Sequence, residues 1–161
     1  MYLIDTNVFI DAKNRYYPFD IVPGFWEWLK SAHLSAKLYT VEAVYDELVG
    51  TADELCEWIK KMPRSFTLPA REISAPSLTR LSTWANTSSQ YTRAAVFEFL
   101  GAADYFLVAH AHTVNATVVT HERAGTGSRN RIKIPDACDA VGVSWMNPFD
   151  MLRTEQAAFR L

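Results

Sequence analysis

The order of apolar runs and amphipathic stretches predicts an α/β fold, a three-layer α/β/α sandwich around a mostly parallel central sheet. Short apolar or β-branched runs alternate with longer stretches of helical periodicity along the whole chain. Most of these runs stop at polar turn formers or at a residue suited to cap a helix. Such alternation gives parallel strands joined by right-handed crossovers, and ligands of these sheets bind beyond the carboxyl ends of the strands. The 161 residues suffice for one domain with a real core. No repeat, low-complexity tract or linker divides them, so residues 1–161 read as a single domain.

Tyr2-Leu3-Ile4 is too short for a helix and reads as a buried first strand. It stops at Asp5-Thr6-Asn7, where Asn7 can cap a short helix over residues 8–12. Residues 13–22, with Asn14, Pro18 and two tyrosines, read as a loop. Pro23 suits the first turn of a helix whose apolar side holds Phe25, Trp26, Leu29 and Leu34. Residues 37–39 form a second strand, after which Thr40 is the expected cap of a helix over 41–49. Val41, Val44, Tyr45 and Leu48 are its apolar stripe.

Gly50 ends that helix, and Thr51 is the expected cap of the next, over 52–62, with Leu55, Trp58, Ile59 and Met62 inward. Residues 63–76 are irregular, with a short strand at 65–68, and helices follow near 77–85 and 92–100. Residues 102–114 are strongly helical, and Thr117-Val118-Val119-Thr120 is a strand by its β-branched density. Residues 122–130 hold Gly125, Gly127 and Ser128 and form a loop. A brief strand at 132–134, a helix over 135–141 ended by Gly142, a last strand at 143–145 and a helix opened by Asn147-Pro148 complete the chain.

Hydrophobic residues make up 49%, which excludes a disordered chain. The net charge of −2 excludes nucleic-acid binding by global attraction, so any such contact must come from a local patch. Cys56 and Cys138 match no zinc spacing and read as buried thiols, with no disulfide framework implied. Met1-Tyr2-Leu3-Ile4 runs straight into Asp5, unlike a signal peptide, and no apolar run reaches the roughly 18 residues of a membrane span. These features lead to the expectation of a cytoplasmic protein.

The acids fall at informative places. Asp5 follows the first strand directly, Asp104 lies in the first turn of the helix before the 117–120 strand, and Glu122 lies just past that strand. Glu47 sits one helix after the second strand. Each alone is an ordinary turn, cap or surface residue. Together they sit largely where a doubly wound sheet presents its crevice. Carboxylates gathered there repel one another, and Mg²⁺ or Mn²⁺ removes that penalty because hard cations prefer oxygen ligands. Such ions also polarise a phosphodiester and activate water. Thr6 and Asn7 are placed to hold the carboxylates from behind.

These residues also resemble a known family. Tyr2-Leu3-Ile4-Asp5-Thr6-Asn7 resembles the first motif of PIN domains, an apolar strand followed by Asp-Thr/Ser-Asn. Residues 40–48, ending in Glu47-Leu48, resemble the second, Ala103-Asp104 with its apolar helix the third, and Thr120-His121-Glu122 the fourth, usually Thr-x-Asp. The closing segments, Ile134-Pro135-Asp136-Ala137-Cys138 and Asn147-Pro148-Phe149-Asp150-Met151-Leu152, look like those of a little-characterised bacterial PIN-like subfamily.

The resemblance implies a Mg²⁺- or Mn²⁺-dependent endoribonuclease with its metal and catalytic site at Asp5, Glu47, Asp104 and Glu122, supported by Asn7 and Thr120. Many PIN proteins are toxins of toxin–antitoxin pairs and often dimerise, which implies a small antitoxin partner and a homodimer. The departure is Glu122, one methylene longer than the usual Asp, with Asp136 as a substitute acid.

Arg123, Arg129, Arg131 and Lys133 with the intervening glycines make a basic loop suited to an RNA backbone. Lys13 and Arg15 with Tyr16 and Tyr17 form a second rim, where a tyrosine can stack on a base. His110 and His112, two apart on a helix, face different sides and suit structural roles better than a shared metal. Two other readings share parts of this pattern. A haloacid-dehalogenase-type phosphatase needs a second Asp two residues after the first, where this chain has Asn7. A PIN-like module that binds RNA or a partner without cleaving it remains the alternative.

Overall fold

A computed structural model describes residues 1–159, and the last two residues of the expected 1–161 unit lie outside them. In chain order the elements are β1 (Tyr2–Ile4), α1 (Thr6–Asp11), a π-helical turn (Ala12–Tyr16), α2 (Pro23–Leu34), β2 (Leu38–Val41) and α3 (Glu42–Val49). There follow α4 (Glu54–Lys61), β3 (Thr67–Leu68), α5 (Ala75–Thr87), α6 (Arg93–Gly101), α7 (Ala103–Val114) and β4 (Thr117–Val119). The chain closes with α8 (Ile134–Val141), β5 (Trp145–Met146) and α9 (Pro148–Thr154).

The strand order is β3-β2-β1-β4-β5, and every neighbouring pair is parallel. This is the expected three-layer α/β/α architecture. β1 is central because its side chains are buried on both faces, with Leu3 and Ile4 wholly inaccessible. Register then positions the site. Ile4 pairs with Val119 across β1 and β4. The next two residues, Asp5 and Thr120, therefore leave the sheet side by side at its carboxyl edge, where Asp5 N–H donates to Val119 O at 3.0 Å.

Packing on the sheet is aromatic on one side. Phe9, fully buried on α1, meets Trp58 at 5.8 Å and Phe66 at 6.3 Å between ring centroids. Removing such a side chain costs about 3–5 kcal/mol, so this cluster anchors the helix that follows Asp5. Helix α7 contacts α3, α5, α6 and α8, and its Leu107, Val108 and Ala111 are wholly buried. No single helix among the described residues is long and apolar enough to cross a membrane; α6 and α7 reach that length only together, bent by 67° at their junction.

Several boundaries differ from expectation for local reasons. Helix α1 starts at Thr6, with Asp5 rather than Asn7 preceding it. Thr40 does not cap a helix: it lies inside β2, wholly buried, and its hydroxyl donates to Ile4 O at 2.9 Å. A threonine suits either position, and pairing with Thr67 of β3 keeps it in the sheet. Asp53 rather than Thr51 caps α4, accepting from Leu55 and Cys56 N–H, while Thr51 donates to that same carboxylate. The loop expected at 13–22 begins with the π-helical turn. Residue 134 opens α8 instead of closing a strand, and Leu34 is 70% exposed rather than inward. Cys56 and Cys138 are buried free thiols, as expected.

Candidate active site

A cavity of about 380 Å³ opens at the carboxyl edge of the sheet, and Asp5, Glu47 and Asp104 all line it. Asp5 comes from the end of β1, Glu47 from α3 and Asp104 from the first turn of α7. Thr6 and Asn7 line the same space. So does Glu98 of α6, which sequence reading missed, because an exposed helical glutamate carries no local sign of what it faces. Ile10, Phe99 and Ile132 give the cavity apolar wall, and Arg131 supplies a cation.

Asp5 is the deepest acid, at 1% exposure. Thr120 Oγ1 donates to its Oδ2 at 3.0 Å and accepts Glu122 N–H at 3.1 Å. Burial pushes the Asp5 pKa up to about 8, and the Asp104 and Glu122 carboxylates add to the rise, while the Thr120 hydroxyl and the Asn7 amide oppose it. Burial also raises Asp104, to about 6, with Glu122 and Glu47 raising it further and Arg131 and Lys133 opposing. Asp104 thus acts directly on Asp5, although 99 positions separate them in sequence. Thr6 Oγ1 donates to Glu47 Oε2 and holds that exposed carboxylate against the cavity wall.

Glu122 is employed differently from the other three. Its Oε1 accepts from Arg131 Nη2 at 2.8 Å and its Oε2 from Ile134 N–H at 2.7 Å, with Lys133 Nζ 4.0 Å away. Both oxygens are turned to the loop and the start of α8, and the residue does not line the cavity. Asp136 accepts Gly125 N–H at 2.9 Å and likewise stitches the loop rather than facing the cavity. Of the basic loop, Arg131 reaches the cavity, Lys133 lies beside Glu122, and Arg123 and Arg129 are exposed.

The histidines stand apart from the acids. His112 Nδ1 lies 2.7 Å from Ser77 Oγ, and His110 is fully buried with neither ring nitrogen hydrogen-bonded among the described residues. His121 packs against Tyr16 and Phe149.

The donor set suits a hard cation. Its oxygens are anionic when ionised, and two of the carboxyls hold protons unusually tightly because they are buried beside other acids, so a divalent ion would stabilise their ionised forms. Among the described residues no three acids, histidines or cysteines form a ready ligand cage. That pattern is compatible with Mg²⁺, which keeps several waters and binds through one or two carboxylates plus substrate oxygens.

The architecture is a PIN-like α/β fold, and the acid-lined cavity lies at its strand ends. The chain matches the model of the domain of unknown function DUF4411 over residues 2–159, and it belongs to that family. Its fold is similar to that of FitAcB from Neisseria gonorrhoeae, at 23% identity and a TM-score of 0.58, with 92% of this chain and 99% of that chain covered. It is similar also to FitAB bound to an IR36 DNA fragment, at 21% identity and a TM-score of 0.54, with 92% and 96% covered. No curated protein shows significant sequence similarity to it.

Proposed function

We propose that this chain is a metal-dependent endoribonuclease that hydrolyses RNA phosphodiesters at the Asp5–Asp104 cavity. The observation that carries the proposal is the pairing of these two acids in one cavity, both holding their protons well above the usual carboxylate range. Functional sites are where such shifts concentrate. Asp5 and Asp104 would hold Mg²⁺ or Mn²⁺, and Glu47 and Glu98, which line the same cavity, would face its waters. When bound, such an ion supplies charge neutralisation and Lewis-acid polarisation of the phosphodiester.

The chain's own residues do the rest. Thr120 orients Asp5, and Thr6 orients Glu47. Arg131, held by Glu122, offers a guanidinium to a phosphate oxygen. Ile10, Phe99 and Ile132 keep part of the wall dry, which strengthens each charge interaction inside. The PIN resemblance extends the proposal to a toxin of a toxin–antitoxin pair, with a small antitoxin partner and a homodimeric state.

The engagement of both Glu122 oxygens by the chain itself favours a second reading, a catalytically weak module that binds RNA or a partner. RNA cleavage in Mn²⁺ against chelator, in parent, Asp5→Asn and Asp104→Asn proteins, separates the two. Mn²⁺-dependent cleavage lost in both variants supports the nuclease. Cleavage that survives both substitutions, or is absent from the parent, sinks it.

A further inference from the structure

An aromatic patch lies along the same carboxyl edge of the sheet as the cavity. Tyr16 ends the π-helical turn after α1, His121 follows Thr120 at the end of β4, and Phe149 lies just past the end of β5. The Tyr16 and His121 rings lie 5.5 Å apart at 35°, and the Phe149 ring meets Tyr16 edge-on at 5.1 Å and 89°. Phe149 and His121 therefore brace Tyr16 in a fixed orientation. The brace does not cover it: with Tyr17 also 6.3 Å away, Tyr16 remains 42% exposed.

Placement and charge indicate an occupant. His121 is one residue from Thr120, whose hydroxyl holds Asp5, so the platform begins one step along the chain from the acid cavity. Arg15, with its side chain 70% exposed, lies 3.6 Å from Asp11, and Arg123 is exposed two residues beyond His121. A braced, open aromatic ring with an arginine beside it is the combination that binds an unstacked base and its backbone. A base inside a duplex cannot present its face, so the matching ligand is single-stranded.

We propose that Tyr16, braced by Phe149 and His121, is a stacking platform for an unpaired base of the RNA. This rests on the nuclease reading above, and its test is kept independent of cleavage. Binding is measured in chelator with a fluorescent single-stranded oligoadenylate, the same backbone carrying abasic residues, and a duplex of equal length. The parent should bind the oligoadenylate about tenfold more tightly than the abasic strand, within the range that base–aromatic stacking gives. 2-Aminopurine placed in the strand should be quenched on binding. Tyr16→Ala should lose both effects, and Tyr16→Trp should restore them.

Equal binding of abasic and base-bearing strands by the parent, or of duplex and single strand, overturns the platform, as does a parent that binds none of them. So does a folded Tyr16→Ala protein that behaves like the parent. Should that variant fail to fold, the abasic comparison on the parent decides. Mn²⁺-dependent cleavage surviving Asp5→Asn would sink the nuclease reading and leave this binding result standing.

Discussion

Thr120 Oγ1 donates a 3.0 Å hydrogen bond to Asp5 Oδ2, joining residues 115 positions apart at the level where β1 and β4 end together. The bond fixes the orientation of the most buried acid in the molecule and opposes the rise in its proton affinity.

Replacing Thr120 by Val removes that donor and leaves Glu122 N–H without its acceptor. The expected result is a loss of roughly 1–3 kcal/mol in stability and several-fold weaker Mn²⁺ binding. Thr120→Ser should retain most of both. Chemical denaturation and Mn²⁺ titration of the two variants check this.

Metal affinity should depend on pH in one direction. Asp5 and Asp104 hold protons up to about 8 and about 6, so a cation entering at pH 6 must displace them. Mn²⁺ affinity is expected to rise from pH 5.5 to pH 8, by up to about tenfold per unit for each proton released. Calorimetry in two buffers of different ionisation heat should register that release.

Without metal, the same acids cost stability as pH rises. Asp5 titrates near 8 in the folded chain against 3.8 as its ordinary value. Between those limits the folded chain retains a proton that the unfolded chain has lost, so stability falls across that window and is unaffected below it. Asp5→Asn should abolish Mn²⁺ binding yet raise the metal-free Tm at pH 8, by roughly 5 °C or more. A Tm that falls at pH 8 would contradict the burial-driven shift.

Glu122→Gln separates support from ligation. Gln keeps an acceptor for Ile134 N–H but loses the charge that pairs with Arg131 and Lys133. Mn²⁺ affinity should change less than about threefold, while RNA binding weakens as Arg131 loses its anchor. Mn²⁺ binding lost as fully as in Asp5→Asn would restore Glu122 as a ligand.

Much of this arrangement was legible in the sequence. Asp5 and Asp104 announce themselves because each sits at an element boundary, which apolar periodicity locates without knowledge of the fold. Strand order and the partnership of Thr120 with Asp5 are not local properties, and the PIN resemblance pointed to Thr120 where composition did not.

What escaped was what depends on the path of the chain. Thr40 reads identically as a cap or as a strand residue until β3 pairs with it. The partners that occupy Glu122 come 9 and 12 residues later, across a loop whose course no periodicity encodes. Glu98 is one exposed helical glutamate among others until the helix carrying it is placed in space.

The 67° bend between α6 and α7 decides which acids can share a space. Six residues separate Glu98 from Asp104. On an unbroken helix that spacing would place them about 120° apart around the axis and about 9 Å along it, on different flanks of one rod. Breaking the rod at Ala102 turns the second half aside, so a short stretch of chain supplies two acids to the lining of one cleft. Residue choice at this corner therefore sets the width of the cleft, and a substitution that straightened it would disassemble the acid cluster while leaving every acid in the chain.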